Sequence, residues 1–219
     1  MKKLTSALAR SQFGVGVDDL HRVVLGAVDG WLLVDEFDPS GAGGQFAYIF
    51  GTRQLRTRLC GSRTQHWEKF RDENIEFVRR SSDGTRIVFQ NVDVAADERR
   101  FPLAISGKKE GSRRVVDCSQ AELDLTGGSS GSRRQGLGYP LWYFCVSVNG
   151  EDVRAELSRP LPFEGNNFTG FSTRLVVVGD GEWPTIRERL HTGGRASASK
   201  RGETADKHHE KPQFGKKKR

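Results

Sequence analysis

The chain is poor in the residues that usually announce a chemistry. Among 219 residues there are three cysteines, one methionine and seven prolines. Cys60, Cys118 and Cys145 lie too far apart for a redox pair or a zinc ligand set, and their small, odd number argues against a secreted disulfide framework. No run approaches the eighteen or so apolar residues of a membrane span. Walker loops, dinucleotide fingerprints and nucleophile elbows are missing as well. The basic start Met1-Lys2-Lys3 leads into an apolar stretch that Thr5, Ser6, Arg10, Ser11 and Gln12 break too early for a signal peptide. A mitochondrial-type leader is the weaker reading, resting on the lack of acids over residues 1–17. These absences lead us to expect a cytoplasmic protein with reduced thiols, no membrane association, no cofactor and no enzymatic activity.

Charge of one sign is also scarce in the body of the chain. The net charge is +7. Residues 195–219 hold nine basic against three acidic residues, so all but one of those positive charges belong to the C-terminal end. A nucleic-acid-binding fold usually carries its excess in the folded part. Here a flexible basic tail, ending Lys216-Lys217-Lys218-Arg219, is the expected polyanion-binding element.

What is present is a strong hairpin signal. Leu141 to Val148 is aromatic and β-branched, Asn149-Gly150 suits a tight turn, and Val153, Ala155 and Leu157 alternate beyond it. Upstream, Leu20, Val23, Val24, Ala27 and Val28 recur at helical spacing behind Asp18 and Asp19, which predicts a helix over 18–28. A buried strand is expected at Trp31–Val34, a loop at Pro39–Gly44 and a returning strand at Phe46–Phe50. A second helix is expected over 64–80, with Trp67, Phe70, Phe77 and Val78 on one side and Glu76 four residues before Arg80. Short apolar clusters from Thr85 to Leu125 read as an antiparallel meander, and Gly127–Gly138 as a flexible loop. Pro160 and Pro162 call for a strand that leaves the sheet or lies at its edge. Phe168–Val178 is the last strand, and Pro184–Leu190 a short final helix.

The fold class that follows is α+β: a single domain over 18–194, a mainly antiparallel twisted sheet of roughly six to nine strands with two packed helices. Residues 1–17 and 195–219 are expected to be flexible or disordered.

Functional candidates are few. Three Gly-Ser-Arg triplets, at Gly61–Arg63, Gly111–Arg114 and Gly131–Arg134, combine close backbone approach with phosphate-binding donors. With the tail they make Arg63, Arg113, Arg114, Arg133, Arg134, Lys216, Lys217, Lys218 and Arg219 the expected contacts to nucleic acid or another polyanion. Tyr143 joins them if its face of the sheet is open for base stacking. The run Thr52–Arg63, with Arg53, Arg56, Arg58 and Arg63 and no acid, can also meet phosphate.

A different class of function is suggested by Glu36 and Asp38. At the end of a strand, two carboxylates on one face suit a divalent metal, and the alternative reading is a metal-dependent nuclease or phosphoesterase. The third reading is a protein-interaction subunit meeting a partner at the edge near Arg159–Pro162. No histidine pair supports a zinc site on one helix: His21 and His66 stand alone, and His191, His208 and His209 lie at or in the tail.

Overall fold

Asn149-Gly150 turns the chain as its residue types require, with Gly150 at φ +62°. The hairpin around it joins the two central strands of the sheet. Residues 1–61, 67–105, 116, 139–161, 163–164 and 167–199 are described by the computed structural model. In chain order the elements are β1 (Lys2–Lys3), α1 (Ser6–Phe13), α2 (Val17–Trp31), α3 (Ala42–Cys60), β2 (Trp67–Asp72), β3 (Ile75–Arg80) and β4 (Arg86–Asn91). There follow β5 (Leu141–Asn149), β6 (Asp152–Pro160), β7 (Phe163–Glu164), β8 (Asn167–Phe168), β9 (Phe171–Val178) and α4 (Trp183–Ser199).

The seven-stranded sheet has the order β1-β9-β6-β5-β4-β3-β2, and β7 with β8 forms a separate ribbon. It is mixed, not mainly antiparallel: β1 runs parallel to β9, and β4 runs parallel to β5 in the register Arg86↔Leu141 to Asn91↔Val146. Parallel neighbours need a long crossover, and residues 92–140 supply it between β4 and β5. The class is therefore α+β with a mixed sheet, and four helices are described.

Both faces of the sheet are covered, which explains why Leu141–Ser147 is buried at every position instead of at alternate ones. On one face Trp142, Phe144, Val146, Ile87 and Phe89 pack with Leu20, Val23, Val24 and Ala27 of α2 and with Leu55 and Leu59 of α3. Phe13 of α1 meets Trp142 edge to face at 5.2 Å. On the other face Phe77, Val88, Leu141, Tyr143 and Cys145 pack with Val92, Ala95 and Val116 from the crossover.

Several sequence expectations are corrected here. Over 67–80 the expected second helix is instead a β-hairpin; its first residues, 64–66, lie outside the described residues. Trp67 pairs with Arg80 and Asp72 with Ile75, around a Glu73-Asn74 turn in which both residues have positive φ. Trp31 ends α2, and Leu32 to Val34 form an exposed turn and not a buried strand. The supposed loop and strand over 39–50 largely belong to α3, which also takes in the basic run as far as Cys60. From residue 92 to 105, where the sequence predicts strands of a meander, the chain is irregular apart from the isolated bridge Val92↔Ala104; the rest of the expected meander, toward Leu125, lies largely outside the described residues. The expected loop at 127–138 lies outside the described residues.

At the N-terminus, residues 1–17 are structured and not a loose lead. Leu4, Ala9 and Phe13 are buried, Thr5 caps α1 through its hydroxyl, and β1 extends the sheet. Arg159 and Pro160 stay in the sheet through β9, pairing with Thr173 and Phe171, but lie beyond the last β5 pair, Tyr143↔Ser158, so the proline sits at the end of the β5 ladder. Helix α4 is longer than Pro184–Leu190 and continues to Ser199; the residues beyond it lie outside the described set. None of the described helices is long and apolar enough to cross a membrane.

Candidate functional site

The candidate site grows from the elbow between α1 and α2. Gly14 closes α1 in the left-handed conformation, φ +69°, its N–H returning to the Arg10 carbonyl at 2.9 Å. Gly16 then opens α2, and its N–H donates to the Asp19 carboxylate at 3.1 Å. The β2–β3 hairpin fixes this elbow from one side. Trp67 Nε1 donates to the Phe13 carbonyl at 3.2 Å, and Arg80 Nη1 to the Gln12 carbonyl at 2.9 Å. Arg80 is itself held by Asp83, whose carboxyl is lowered to about 2, first by the Arg80 hydrogen bond.

Against the elbow comes the C-terminal turn of α3. Together they enclose a cleft of about 470 Å³ lined by Arg10, Gly14, Val15, Gly16, Asp19, Thr57, Arg58 and Gly61. Two guanidinium groups face one carboxylate, and that carboxylate is engaged with the Gly16 N–H. The Arg58 Nε is buried and has no hydrogen-bond partner among the described residues. Such a donor, shielded from water and unpaired, costs free energy that an incoming acceptor removes. Chemically the cleft favours an anionic oxygen-rich group, and its described lining holds no aromatic ring on which a base could stack.

Among the described residues, the sequence candidates that line this cleft are Arg58 of the basic run and Gly61 of the first Gly-Ser-Arg triplet. Its Arg63, the triplet arginines Arg113, Arg114, Arg133 and Arg134, and the tail residues Lys216, Lys217, Lys218 and Arg219 lie outside the described residues. Arg58 was visible in the acid-free run of α3. Arg10 carried no signal of its own, because nothing local shows that α1 turns back onto the end of α3.

The other candidates resolve differently. Tyr143 is 1% exposed, packed in the second core cluster, and burial pushes its phenol pKa up. The free sheet face that base stacking required is absent, because the crossover covers it. Glu36 and Asp38 sit in the turn between α2 and α3 and not at a strand end. There Asp38 accepts the Asp35 N–H at 2.9 Å and so serves the turn itself. Among the described residues no group of three His, Cys, Asp or Glu side chains could hold a metal ion. Cys145 is buried in β5, as its place in the hairpin strand implies.

His21 has the partners of a catalytic dyad but the setting of a structural tie. Its Nε2 is 3.2 Å from the Val177 carbonyl, which makes Nε2–H the donor, and its Nδ1 accepts from Arg189 Nη2 at 3.0 Å. Arg189 also reaches Asp18 at 2.8 Å, so α2, β9 and α4 are joined through one imidazole. Burial lowers its pKa from the ordinary 6.5, with the Val177 and Asp18 hydrogen bonds opposing. In the unfolded chain the ring takes up a proton as pH falls through about 6.5, while the folded ring resists. Stability is therefore lost on acidification below that value, at no more than about 1.4 kcal/mol per pH unit for one proton. Urea midpoints compared between pH 7.5 and 5.5 should show a shallower dependence in His21→Gln than in the wild type.

Compared with protein-family models, curated proteins and solved structures, the chain matches none.

Proposed function

We propose that the protein binds a polyanion, nucleic acid in the first place, through phosphate contacts, with the Arg10–Arg58 cleft as the structured anchor. The observation that carries this reading is the buried Arg58 Nε, without a hydrogen-bond partner among the described residues, in a cleft walled by glycine backbone and a second arginine. A guanidinium offers a planar fork of donors that fits phosphate, and glycines at Gly14, Gly16 and Gly61 let the backbone come close. The rest of α3 adds to it. Arg53 is exposed one turn before the cleft, whereas Arg56 is engaged by Glu76. The basic residues 195–219 supply a second, sequence-independent attraction in this reading, screened by salt. With no stacking ring in the cleft's described lining, recognition runs along the backbone and carries little base preference.

The test is titration of labelled single-stranded and duplex oligonucleotides at several salt concentrations. Arg58→Ala and Arg10→Ala are each expected to weaken binding about tenfold at low salt and to flatten the dependence of log K on log salt by about one unit. Arg53→Ala should do less. Deleting 200–219 should lower affinity without abolishing the Arg58 effect. Unchanged binding by both cleft variants, with circular dichroism showing them folded, would overturn the reading.

A further inference from the structure

A second surface, built from opposite materials, lies where α2 meets α3. Leu32 is 62% exposed, Leu33 56% and Phe37 88%, and Val34 is exposed with them. On the adjoining helix Ile49 is exposed as well. Isolated apolar side chains at a surface need no explanation, but four within six consecutive residues form a patch.

The backbone beneath them is fixed. Leu33 N–H donates to the Gly30 carbonyl at 3.2 Å, Asp35 N–H to the Asp38 carboxylate at 2.9 Å, and Phe37 N–H to the Asp35 carboxylate at 2.9 Å. Gly43 packs on the Trp31 ring at the base of the turn: a Cβ there would lie 3.2 Å from it. Phe37 is thus carried on a preformed turn with its ring in water. A rigid aromatic anchor of this kind loses little conformational freedom on binding.

Charge decides what fits. Residues 30–52 contain Asp35, Glu36 and Asp38 and no basic residue, in a chain whose net charge is +7. An acidic rim around an apolar knob repels nucleic acid and anionic lipid alike. A second copy docked by two-fold symmetry would set the same three acids against each other. What remains complementary is a polypeptide segment with apolar side chains between basic ones.

We propose that the α2–α3 turn is a docking surface for a basic, amphipathic segment of a partner protein, with Phe37 and Leu33 as apolar anchors and Glu36 as the charge-matching group. This surface is distinct from the Arg10–Arg58 cleft and does not depend on it. The probe is a labelled fourteen-residue peptide of alternating leucine and lysine pairs, titrated into the full chain, beside a leucine–glutamate peptide of the same pattern. The leucine–lysine peptide is expected to bind and the glutamate peptide not to. Phe37→Ser and Glu36→Lys should each weaken binding about tenfold, the loss expected when a central anchor or a matched charge is removed. Both positions are exposed, so thermal melts should match the wild type, and Arg58→Ala should bind the peptide as the wild type does. Equal binding by Phe37→Ser and Glu36→Lys would overturn the proposal. So would sedimentation showing a wild-type dimer that Phe37→Ser dissociates, which assigns the surface to a second copy. Loss of binding to phosphatidylcholine–phosphatidylserine vesicles in Phe37→Ser, with peptide binding intact, would assign it to lipid instead.

Discussion

Arg174→Ala is expected to lower the unfolding free energy by about 3–5 kcal/mol. Glu156 is 0% exposed, in the middle of the sheet on β6, and Arg174 stands beside it on β9. The guanidinium reaches both carboxylate oxygens, Nε to Oε1 at 2.9 Å and Nη2 to Oε2 at 2.6 Å. Ser158 Oγ and the Ala96 N–H complete the set of donors. Without the arginine, a carboxylate stays in the interior with no countercharge. The pair as such is a weak source of stability, since the desolvation of two charges offsets most of their attraction. A Glu156→Leu, Arg174→Met double variant should therefore recover much of the loss, and urea denaturation of the three variants separates the two statements.

The same arginine has a local effect. Its Nη1 donates to the carbonyls of Asp97 at 2.9 Å and Arg100 at 3.1 Å, and Glu156 accepts from Ala96, a non-glycine residue at φ +52°. Residues 96–100 of the crossover are thus tied to the sheet through this ion pair, beside the bonds that Ala95 N–H and Asn149 make further along. In Arg174→Ala, amide exchange over 95–103 should accelerate more than in β5. A loss of stability under about 1 kcal/mol would show that the pair is not the fastening we describe.

Gly30→Ala and Gly44→Ala are expected to shift stability in opposite directions, although both lie in helices. A Cβ on Gly30 would stand 2.6 Å from the Phe46 carbonyl oxygen and 2.8 Å from its carbon. Those atoms are α3 backbone, so α2 and α3 would have to part. We expect a net cost of about 1–3 kcal/mol, because overpacking outweighs the ~1 kcal/mol that alanine gains in a helix. Gly44 has nothing within 4 Å of the corresponding position, and alanine there should stabilise by about 0.5–1 kcal/mol. Thermal denaturation of the two variants checks the sign, and a stabilised Gly30→Ala would refute the close packing of the two helices.

Those glycines also explain where the sequence misled. Helix α3 contains Gly43, Gly44 and Gly51 among aromatic and β-branched residues, a composition that reads locally as loop and strand. At least two of these glycines answer to tertiary contacts: Gly43 lies under Trp31, and a Cβ on Gly51 would come within 2.4 Å of the Phe89 ring. The hairpin at 67–80 was missed because its turn places Glu73 and Asn74 at positive φ without a glycine to mark it. By contrast, α2 and the β5–β6 hairpin were legible, since periodicity and an Asn-Gly turn are local properties. The parallel pairing of β4 with β5 is not local, and neither is the cleft. Arg58 could be singled out from an acid-free run, but its partner across the cleft is set by where α1 turns, 44 residues or more upstream.

Strand β1 lies beside β9, with Lys2 opposite Leu175 and Lys3 opposite Val176. The sheet's outer strand is thus waiting for a neighbour that the elongating chain reaches some 170 residues later. During synthesis, Leu4 and the apolar side of α1 must remain without their final cover until β9 has emerged, a long exposure of the kind that chaperones attend to. Pairing across so large a sequence separation also belongs to the slow end of folding, where loop closure precedes any gain from contact.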